Sequence, residues 1–303
     1  MSSIQQAVEG LKDDRRSGAS ELSRRLAEAL AKFAEQAPAS TPDELMQGLR
    51  GAARALAEAR PSMRALANTA DQIVAVAAQP PLPAEVGDVR ARVAQAAREA
   101  LEGWEAAARA IAGHASHLLP ETVLTYSYSS TVLTVLLQRR PRQVVVPESR
   151  PLCEGRRLAS DLLEAGIAST LITEAQVGLL MSNVRAVLVG ADAVLADGAV
   201  INKAGTYLLA LAAHRDRVPF YVACESLKVC ADTEDLPPLE EKEPQEVWPE
   251  APSGLAVRNV YFDRTPPDLV SAIITEEGAL RPEELDPLVE RARRYQRALD
   301  DAP

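Results

Sequence analysis

The sequence predicts an α/β fold in which a helical N-terminal domain (residues 1–118) is followed by a Rossmann-like parallel-sheet domain (residues 119–303). Two observations lead to this prediction. Apolar residues recur at helical spacing in the first part, whereas short β-branched runs alternate with amphipathic helices in the second. Strands that alternate with helices are typical of βαβ units and a parallel sheet. A chain of 303 residues has room for both domains.

The first part has the periodicity of helices that each bury one face. Thr41 before Pro42 indicates a helix N-terminus, because threonine caps free N–H groups and proline suits the first turn. The proline-rich run QPPLP ends a helix, and a long helix is predicted over residues 85–114. The apolar positions at helical spacing are Leu22, Leu26, Leu30, Phe33, Leu45, Leu49, Leu56 and Leu66.

The second part contains short apolar runs that we predict to be parallel strands. Such strands are covered on both faces, so they are unbroken runs of apolar residues. The acidic, proline-rich segment 231–253 is predicted to be an exposed excursion, suited equally to a mobile lid or a partner-binding loop. The predicted strands are 122–125, 143–146, 169–172, 186–189, 219–223 and 257–262, and a last helix is predicted over 267–277.

Composition excludes several functional classes. A net charge of -10 disfavours binding of nucleic acid through a broad basic face. There is neither an apolar run of the ~20 residues that span a membrane nor the apolar core of a signal peptide, so we expect a cytoplasmic protein without membrane contact. The three cysteines have neither disulfide nor metal-site spacing, and no P-loop or GxGxxG motif is present. We therefore expect no metal and no cofactor.

Ligands of open α/β sheets bind outside the carboxyl ends of the strands. Ser129 and Ser130 begin a helix there, where free N–H groups favour an anion, although serines at that point are also ordinary N-caps. Each of five predicted strand ends is followed by a loop that carries a hydroxyl or a carboxylate. These loops are residues 126–130, 147–150, 173–174, 190–192 and 224–226.

Asp192 follows a predicted buried strand and is expected at the edge of the sheet. The segment 197–203 is predicted to fold back like a hairpin, bringing Asn202 and Lys203 close to Asp192. An amide and an ammonium there suit a substrate hydroxyl and a phosphate. The alternative is that Lys203 simply pairs with Asp192.

These segments resemble one protein family. The runs VLVGADAVLADGAVINKAGTYLLALAA and VPFYVACESLKV are similar to the regulatory (alpha, beta and delta) subunits of translation initiation factor 2B. That family also includes ribose-1,5-bisphosphate isomerase and methylthioribose-1-phosphate isomerase. The runs VVVPESRPLCEGRRLASDLLEAGI and VRNVYFDRTPPDLVSAIITEEGAL resemble it too, as do DRRSGASEL and AARALAEARPSMRALANTA in the helical part.

The resemblance implies a homodimer or larger homo-oligomer and a site for a phosphorylated sugar or nucleotide between the two domains. It implies that Asp192, in the GAD motif, is the catalytic acid of the isomerases. The other positions that match the family's substrate- and phosphate-binding residues are Arg16, Gly18, Ala19, Ser20, Arg60, Asn202, Lys203 and Lys228.

One departure from the isomerases concerns the chemistry. Their cysteine, which acts with the aspartate, is replaced by Ser127 in the run TYSYS. A thiol is readily made into a thiolate base, whereas an alcohol needs an adjacent strong base. No histidine lies in the five loops, and His214 is predicted to be solvated. The pair Tyr128-Ser129 and the segment CESLKV are closer to the initiation-factor alpha subunits, whereas Asp192 follows the isomerases.

Three functions are compatible with this pattern. The first is a binding module that senses a sugar phosphate or nucleotide without thiol-dependent isomerase chemistry, with Ser127 inactive. The alternative is an aldose–ketose isomerase of a sugar phosphate in which Asp192 and a neighbouring carboxylate, Glu148 or Glu225, replace the thiol pair. The third is a scaffold subunit in translation initiation. We expect the first to be correct, because the nucleophile position decides the known chemistry.

Overall fold

The computed structural model describes residues 3–14, 17–61, 63–233 and 241–300. It divides into two compact units: residues 1–106, 227–232 and 286–303 form the first, and residues 107–226 and 233–285 form the second. The mixed α/β class, with a helical N-terminal region and a mostly parallel sheet, is confirmed. Within the described ranges, no helix is both long enough and apolar enough to cross a membrane.

The first unit is helical. Its core is built by the leucines that the periodicity predicts to be inside: Leu22, Leu26, Leu30, Leu45, Leu49, Leu56 and Leu66 are fully buried. Phe33 is half-buried. The C-terminal helix packs against the fourth helix. Helices of this unit are α1 (Ser3–Asp13), α2 (Ala19–Gln36), α3 (Pro42–Ala57), α4 (Arg64–Ala77), α5 (Val86–Ser116, up to residue 106) and the C-terminal helix, Asp286–Asp300.

Helix α3 begins where the sequence predicts. The Thr41 hydroxyl accepts a hydrogen bond from Glu44 N at 3.2 Å, and Glu44 Oε2 accepts one from Thr41 N at 3.3 Å. This reciprocal capping box satisfies two backbone donors at the start of the helix, and Pro42 occupies the first turn.

The second unit is built on a seven-stranded sheet. Five strands of this sheet correspond to predicted runs. They run parallel to one another, and their bounds agree with the predicted bounds to within one residue. They are β1 (Thr122–Leu124), β2 (Gln143–Pro147), β3 (Ser169–Ile172), β4 (Ala186–Val189) and β7 (Phe220–Ala223). The helices of this unit are α6 (Ser130–Arg139), α7 (Glu154–Glu164), α8 (Val177–Leu180) and α9 (Thr206–Arg215); the C-terminal helix Asp286–Asp300 is α10.

Five further short strands complete the second unit. A three-stranded antiparallel sheet consists of β5 (Ala193–Val194), β6 (Val200–Lys203) and β8 (Phe262–Thr265), which confirms the predicted fold-back before Lys203. The large sheet is extended by β9 (Ala272–Thr275), parallel to β7, and β10 (Gly278–Leu280), antiparallel to β9. The order of the large sheet is β10-β9-β7-β4-β1-β2-β3.

Two predictions near the C-terminus were wrong. Residues 257–262 are mostly irregular, and the strand begins only at Phe262. Residues 267–277 form no α-helix: a 3₁₀ turn, Pro267–Leu269, is followed by β9. The run Ala272–Thr275 pairs in register with Tyr221–Ala223 of β7, and this pairing buries Ile273 and Ile274 completely. Tertiary pairing therefore overrides a local pattern that fits either structure.

The acidic excursion is described from residue 241 onward. Residues 241–255 are mostly exposed, as predicted, and Glu241 forms an isolated antiparallel bridge with Val260. Arg150 Nη2 donates to Val247 O at 2.6 Å, and Asn259 Nδ2 donates to Glu246 Oε2 at 2.9 Å. This part of the excursion is thus anchored to the second unit by specific hydrogen bonds.

Candidate functional site

The chain changes winding direction between β1 and β4. From β1 the sheet grows to one side through β2 and β3, and the next strand, β4, lies on the other side of β1. Ligands of doubly wound sheets bind at such a switch point, outside the carboxyl ends of the strands. The loops after β1 and β4 carry Ser127 and Asp192, so two predicted site residues follow the two strands that flank the switch point.

Direct contacts join the loops at this edge. The loops after β1 and β2 are connected because Ser127 N donates to Ser149 Oγ at 2.8 Å. The loops after β2 and β3 are connected because Arg150 N donates to Glu174 Oε1 at 3.0 Å. We call the five linked loops the rim; it comprises residues 126–131, 147–154, 173–176, 190–192 and 224–226.

The rim continues across the switch point. A Cβ on Gly190 would lie 2.8 Å from Ser129 Oγ and 2.9 Å from Ser129 Cβ, so the loops after β1 and β4 are in contact. The Thr131 hydroxyl, in the first turn of α6, donates to Glu225 Oε1 in the loop after β7. Glu225 is almost fully buried, at 2% exposure. The five loops that the sequence singles out therefore meet at one edge.

Backbone strain is concentrated in the rim. Ser127, Ser149 and Cys153 have φ angles of 59°, 65° and 58°, in the left-handed region that residues other than glycine rarely adopt. Such conformations cost of order 1–3 kcal/mol each and cluster at functional sites. Cys153 N donates to Ser149 O at 2.9 Å, which fixes two of these residues relative to each other.

Ser129 and Ser130 begin helix α6 as predicted. Ser129 is the N-cap: its hydroxyl accepts from Val132 N at 3.3 Å. Ser130 is the first helical residue and is exposed. The capping role that the sequence offered as an alternative for these serines is thus observed at Ser129.

The hairpin of the second sheet fixes Asp192, Asn202 and Lys203. Asp192 N donates to Ile201 O at 2.9 Å, and the carboxylate is half-buried. Successive strand residues alternate in direction, and the two β6 side chains have different partners. Asn202 Nδ2 donates to Thr206 Oγ1 at 3.0 Å, whereas Lys203 Nζ lies 2.7 Å from Glu154 Oε1.

The ion-pair partner of Lys203 is therefore Glu154, the first residue of α7. The sequence analysis considered Asp192 for this role and missed Glu154. The only sign of this pairing in the sequence was weak: Glu154 is a carboxylate at the start of the helix that follows the loop after β2. Lys203 Nζ also lies 4.1 Å from the ring centroid of Tyr261, which covers the ammonium by a cation–π contact.

A half-buried carboxylate caps helix α9. Asp263, on β8, accepts hydrogen bonds from Gly205 N at 2.6 Å and Tyr207 N at 3.1 Å. Burial raises the pKa of this carboxyl from its ordinary value of 3.8 to about 6, although the two backbone donors act in the opposite direction. Sequence reasoning missed Asp263, because the residues that it caps are distant in the chain.

Tyr126 lies against the same helix start. Its hydroxyl donates to Ala204 O at 2.8 Å, and a Cβ on Gly205 would overlap the tyrosine oxygen. Gly205 also has a φ of 111°, which disfavours any other residue. Burial, and then the nearby carboxylates of Glu174, Asp263 and Glu154, raise the pKa of Tyr126, so the phenol stays protonated.

Two buried oxygen atoms near the rim have unused hydrogen-bonding capacity. Within the described ranges, Thr125 Oγ1 at the end of β1 and Glu154 Oε2 have no hydrogen-bond partner. Buried polar atoms in native proteins are nearly always bonded, so each such atom is a candidate for contact with a ligand or water. Among the described residues, no group of three or more His, Cys, Asp or Glu side chains could hold a metal ion.

The remaining predicted residues that the structure describes belong to the first unit. Arg16 lies outside the described residues. Gly18 is the exposed N-cap of α2, Ala19 is buried and Ser20 is half-buried, so these three residues form the start of a helix, where free N–H groups favour an anion.

Arg60 and Lys228 are buried cations of the first unit. Arg60 is 5% exposed and donates from Nη1 to Asp14 O at 2.8 Å. Lys228 is 4% exposed. Asn68 Nδ2, on α4, donates to Leu227 O at 2.7 Å and Val229 O at 2.8 Å, which fixes the segment that carries Lys228. Buried cations are rare, and both have interactions with neighbouring groups.

Comparison with known proteins gives consistent matches along the chain. A family model described as "Initiation factor 2 subunit family" matches residues 15–282. A ribose 1,5-bisphosphate isomerase of Archaeoglobus fulgidus is 37% identical over 293 residues, covering 93% of this chain and 91% of that protein. A methylthioribose-1-phosphate isomerase of Chloroflexus aurantiacus is 35% identical over 279 residues, covering 84% of this chain and 80% of that protein.

A solved structure has the same fold. The Pyrococcus horikoshii translation initiation factor eIF-2B superposes with a TM-score of 0.79 at 34% identity, covering 92% of this chain and 97% of that one. The similarity therefore extends over both the helical unit and the parallel-sheet unit, and it includes proteins named as isomerases and as initiation factors.

Proposed function

Because the chain belongs to the initiation factor 2 subunit family, we propose that it is an aldose–ketose isomerase of a phosphorylated pentose. This is the alternative of the sequence analysis, and the comparisons support it better than the non-catalytic module that we expected. Two relatives with at least 35% identity over most of the chain are named as isomerases, one of ribose 1,5-bisphosphate and one of methylthioribose 1-phosphate.

The observation that carries the proposal is the position of Asp192 at the switch point. Moving a carbonyl group from C1 to C2 of a sugar requires that a proton leave C2 and that one be delivered to C1, so the reaction needs a base and an acid. Asp192 lies in the loop after β4, which is flanked by the loops of Ser127 and Glu225. We propose that Asp192 is one member of this acid–base pair.

Glu225 is the better candidate than Glu148 for the second member. The strand that precedes Glu225, β7, is adjacent to β4, whereas β1 separates β4 from the strand that precedes Glu148. Glu148 Oε2 is also 2.6 Å from Arg156 Nη2, so this carboxylate is already engaged in an ion pair. Glu225 is buried, and its Oε1 accepts a hydrogen bond from the Thr131 hydroxyl, which fixes the carboxylate at this edge of the sheet.

We further propose that Asn202 and Lys203 contact the sugar and that the basic residues Arg60 and Lys228 bind phosphate. Further proposed anion contacts, through backbone N–H groups and hydroxyls, are Gly18, Ala19, Ser20, Ser129 and Ser130. Arg16 is a proposed phosphate ligand.

A homodimer or larger assembly is also proposed. Exposed leucines on α8 and α9, such as Leu179 and Leu208, support it, and light scattering of the purified protein tests it.

The test is direct conversion followed by NMR. Ribose 1,5-bisphosphate and methylthioribose 1-phosphate are incubated with the wild type and with Asp192→Asn, and the appearance of ketose signals is measured. We expect turnover by the wild type, no turnover by Asp192→Asn, and similar ligand binding by both. Full activity of Asp192→Asn would refute the proposed role. Ser127→Cys is expected to raise turnover, because it restores a thiol at the family's cysteine position.

A second candidate function is ligand binding without catalysis. Ser127 favours it, because the serine backbone is fixed by Ser149 and no histidine lies in the rim to activate its hydroxyl. Under this function, a titration calorimeter would detect binding of a sugar phosphate or of a nucleotide such as AMP, while the NMR spectrum of the ligand would stay unchanged over hours.

A further inference from the structure

The ion pair between Lys203 and Glu154 is unusual for a sugar-phosphate site. Lys203 Nζ lies 2.7 Å from Glu154 Oε1, with the two side chains 8% and 26% exposed. A phosphate-binding lysine is most effective when its charge is uncompensated. Here a carboxylate compensates that charge, and the Tyr261 ring covers the ammonium at 4.1 Å. The local potential is therefore much less favourable for a phosphate than that of a free lysine.

Lys203 and Glu154 nevertheless have hydrogen-bonding groups that the pair itself does not use. An ammonium has three N–H donors, and the polar contact that the described structure gives Lys203 Nζ is the one to Glu154. Glu154 Oε2 is buried and has no hydrogen-bond partner among the described residues. A donor and an acceptor are thus left on adjacent groups.

A hydroxyl group matches this combination. It can donate its proton to Glu154 Oε2 and accept a hydrogen bond from Lys203 Nζ at the same time. A phosphate dianion has only acceptor oxygens, and it would place negative charge against the partly buried Glu154 carboxylate. Like charges repel strongly when they are close together and partly desolvated.

We propose that Glu154 and Lys203 form a hydroxyl-binding subsite and that Glu154 determines specificity by disfavouring a phosphate at this position. This inference rests on the proposed sugar-phosphate function and refines its substrate class. The preferred ligand is a pentose with a single phosphate and with a free C1 or C5 hydroxyl directed at the pair, in preference to the bisphosphate.

The neighbouring segment fixes the geometry of this subsite. The Tyr261 hydroxyl donates to Glu246, which also accepts from Asn259 Nδ2 at 2.9 Å. The Tyr261 ring is therefore held in place over Lys203 and does not depend on a ligand for its position. The ring covers one side of the ammonium at 4.1 Å, and that side is closed to the several oxygens of a phosphate.

The test compares wild type and Glu154→Gln by titration calorimetry with ribose 1-phosphate, ribose 5-phosphate and ribose 1,5-bisphosphate. Glutamine keeps the volume and one acceptor oxygen but removes the charge. We expect the affinity for the bisphosphate to rise relative to that for at least one monophosphate by about tenfold or more. Glu164→Gln, at the exposed far end of the same helix, changes net charge equally and should leave the ratio unchanged.

Two outcomes would overturn the subsite. One is that the ratio of bisphosphate affinity to monophosphate affinity changes less than about twofold in Glu154→Gln. The other is that neither the wild type nor Glu154→Gln binds any of the three probes measurably. Turnover is measured separately by NMR on the same samples. A shifted affinity ratio without turnover would support the subsite and refute the isomerase, whereas turnover with an unshifted ratio would refute only the subsite.

Discussion

The contact between Gly190 and Ser129, which joins the loops on the two sides of the switch point, leads to a quantitative prediction. In Gly190→Ala the new methyl group would lie 2.8 Å from Ser129 Oγ and 2.9 Å from Ser129 Cβ. Carbon atoms pack at about 3.5–4.0 Å, so the loops must separate by nearly 1 Å. Overpacking of this kind costs about 1–3 kcal/mol, and we expect Gly190→Ala to lose that much stability.

Second-site changes at residue 129 identify the cause. Ser129→Gly removes both close atoms, and glycine replaces a serine N-cap at a cost of only a few tenths of a kcal/mol. The double variant Gly190→Ala/Ser129→Gly should therefore recover most of the lost stability. Ser129→Ala removes the hydroxyl but keeps the Cβ, 2.9 Å from the new methyl group, so it should not rescue.

Thermal unfolding followed by circular dichroism measures these effects, since 1 kcal/mol corresponds to about 2–4 °C in a domain of this size. Gly113→Ala in α5 is the control: a Cβ there meets nothing within 4 Å, and we expect it to gain about 0.5–1 kcal/mol. A Gly190→Ala protein as stable as wild type, or equal rescue by Ser129→Ala and Ser129→Gly, would show that Gly190 and Ser129 do not pack against each other in this way.

Three further predictions concern single residues. Gly155→Ala, in helix α7, should lose more than about 3 kcal/mol in thermal unfolding, because its Cβ would overlap the Pro147 carbonyl oxygen; a gain, as at an ordinary helical glycine, would contradict the geometry. The pKa of Asp263 is raised from 3.8 to about 6, so its contribution to stability is present at pH 4 and is lost as the pH rises through 6, by about 3 kcal/mol. The melting temperature of Asp263→Asn should therefore rise relative to wild type between pH 4 and pH 7, and a constant difference would refute this. Tyr126→Phe leaves Ala204 O without its 2.8 Å donor and should cost about 1 kcal/mol in urea unfolding; an unchanged midpoint would show that water replaces the hydroxyl.

The parallel strands could be predicted from sequence because their signal is local. Val144, Val145 and Val146 form an unbroken run of β-branched apolar residues, which is typical of a strand covered on both faces. Loop positions follow from the strands, so the meeting of the five rim loops at one edge was predictable as well. The family resemblance, carried by continuous motifs, is confirmed.

The errors have a common physical cause, which is that distant segments decide a local conformation. Leu269, Val270, Ile273 and Ile274 have helical spacing, yet pairing with β7 makes Ala272–Thr275 a strand. The C-terminal helix α10 packs against α4 in the first unit, although the two helices are far apart in the chain. No local pattern in the sequence indicates this contact.

The same cause limited the prediction of the site. The hairpin before Lys203 was predictable from its turn residues, but its partner Glu154 belongs to a different βα unit and was missed. Asp263 caps helix α9 from a strand that follows it by a long excursion. Contacts of this kind depend on the completed fold, and one sequence does not reveal them.

The linked rim has a consequence for how such a protein can diversify. Hydrogen bonds connect neighbouring loops: Ser127 with Ser149, Arg150 with Glu174, and Thr131 with Glu225. A substitution in one loop therefore changes the packing and hydrogen bonding of its neighbour. The effects of mutations in different loops should therefore be epistatic, and new substrate preferences should arise through paired changes in adjacent loops. A library that randomises two touching loops together, such as those after β1 and β4, should yield more functional variants than two libraries that randomise each loop alone.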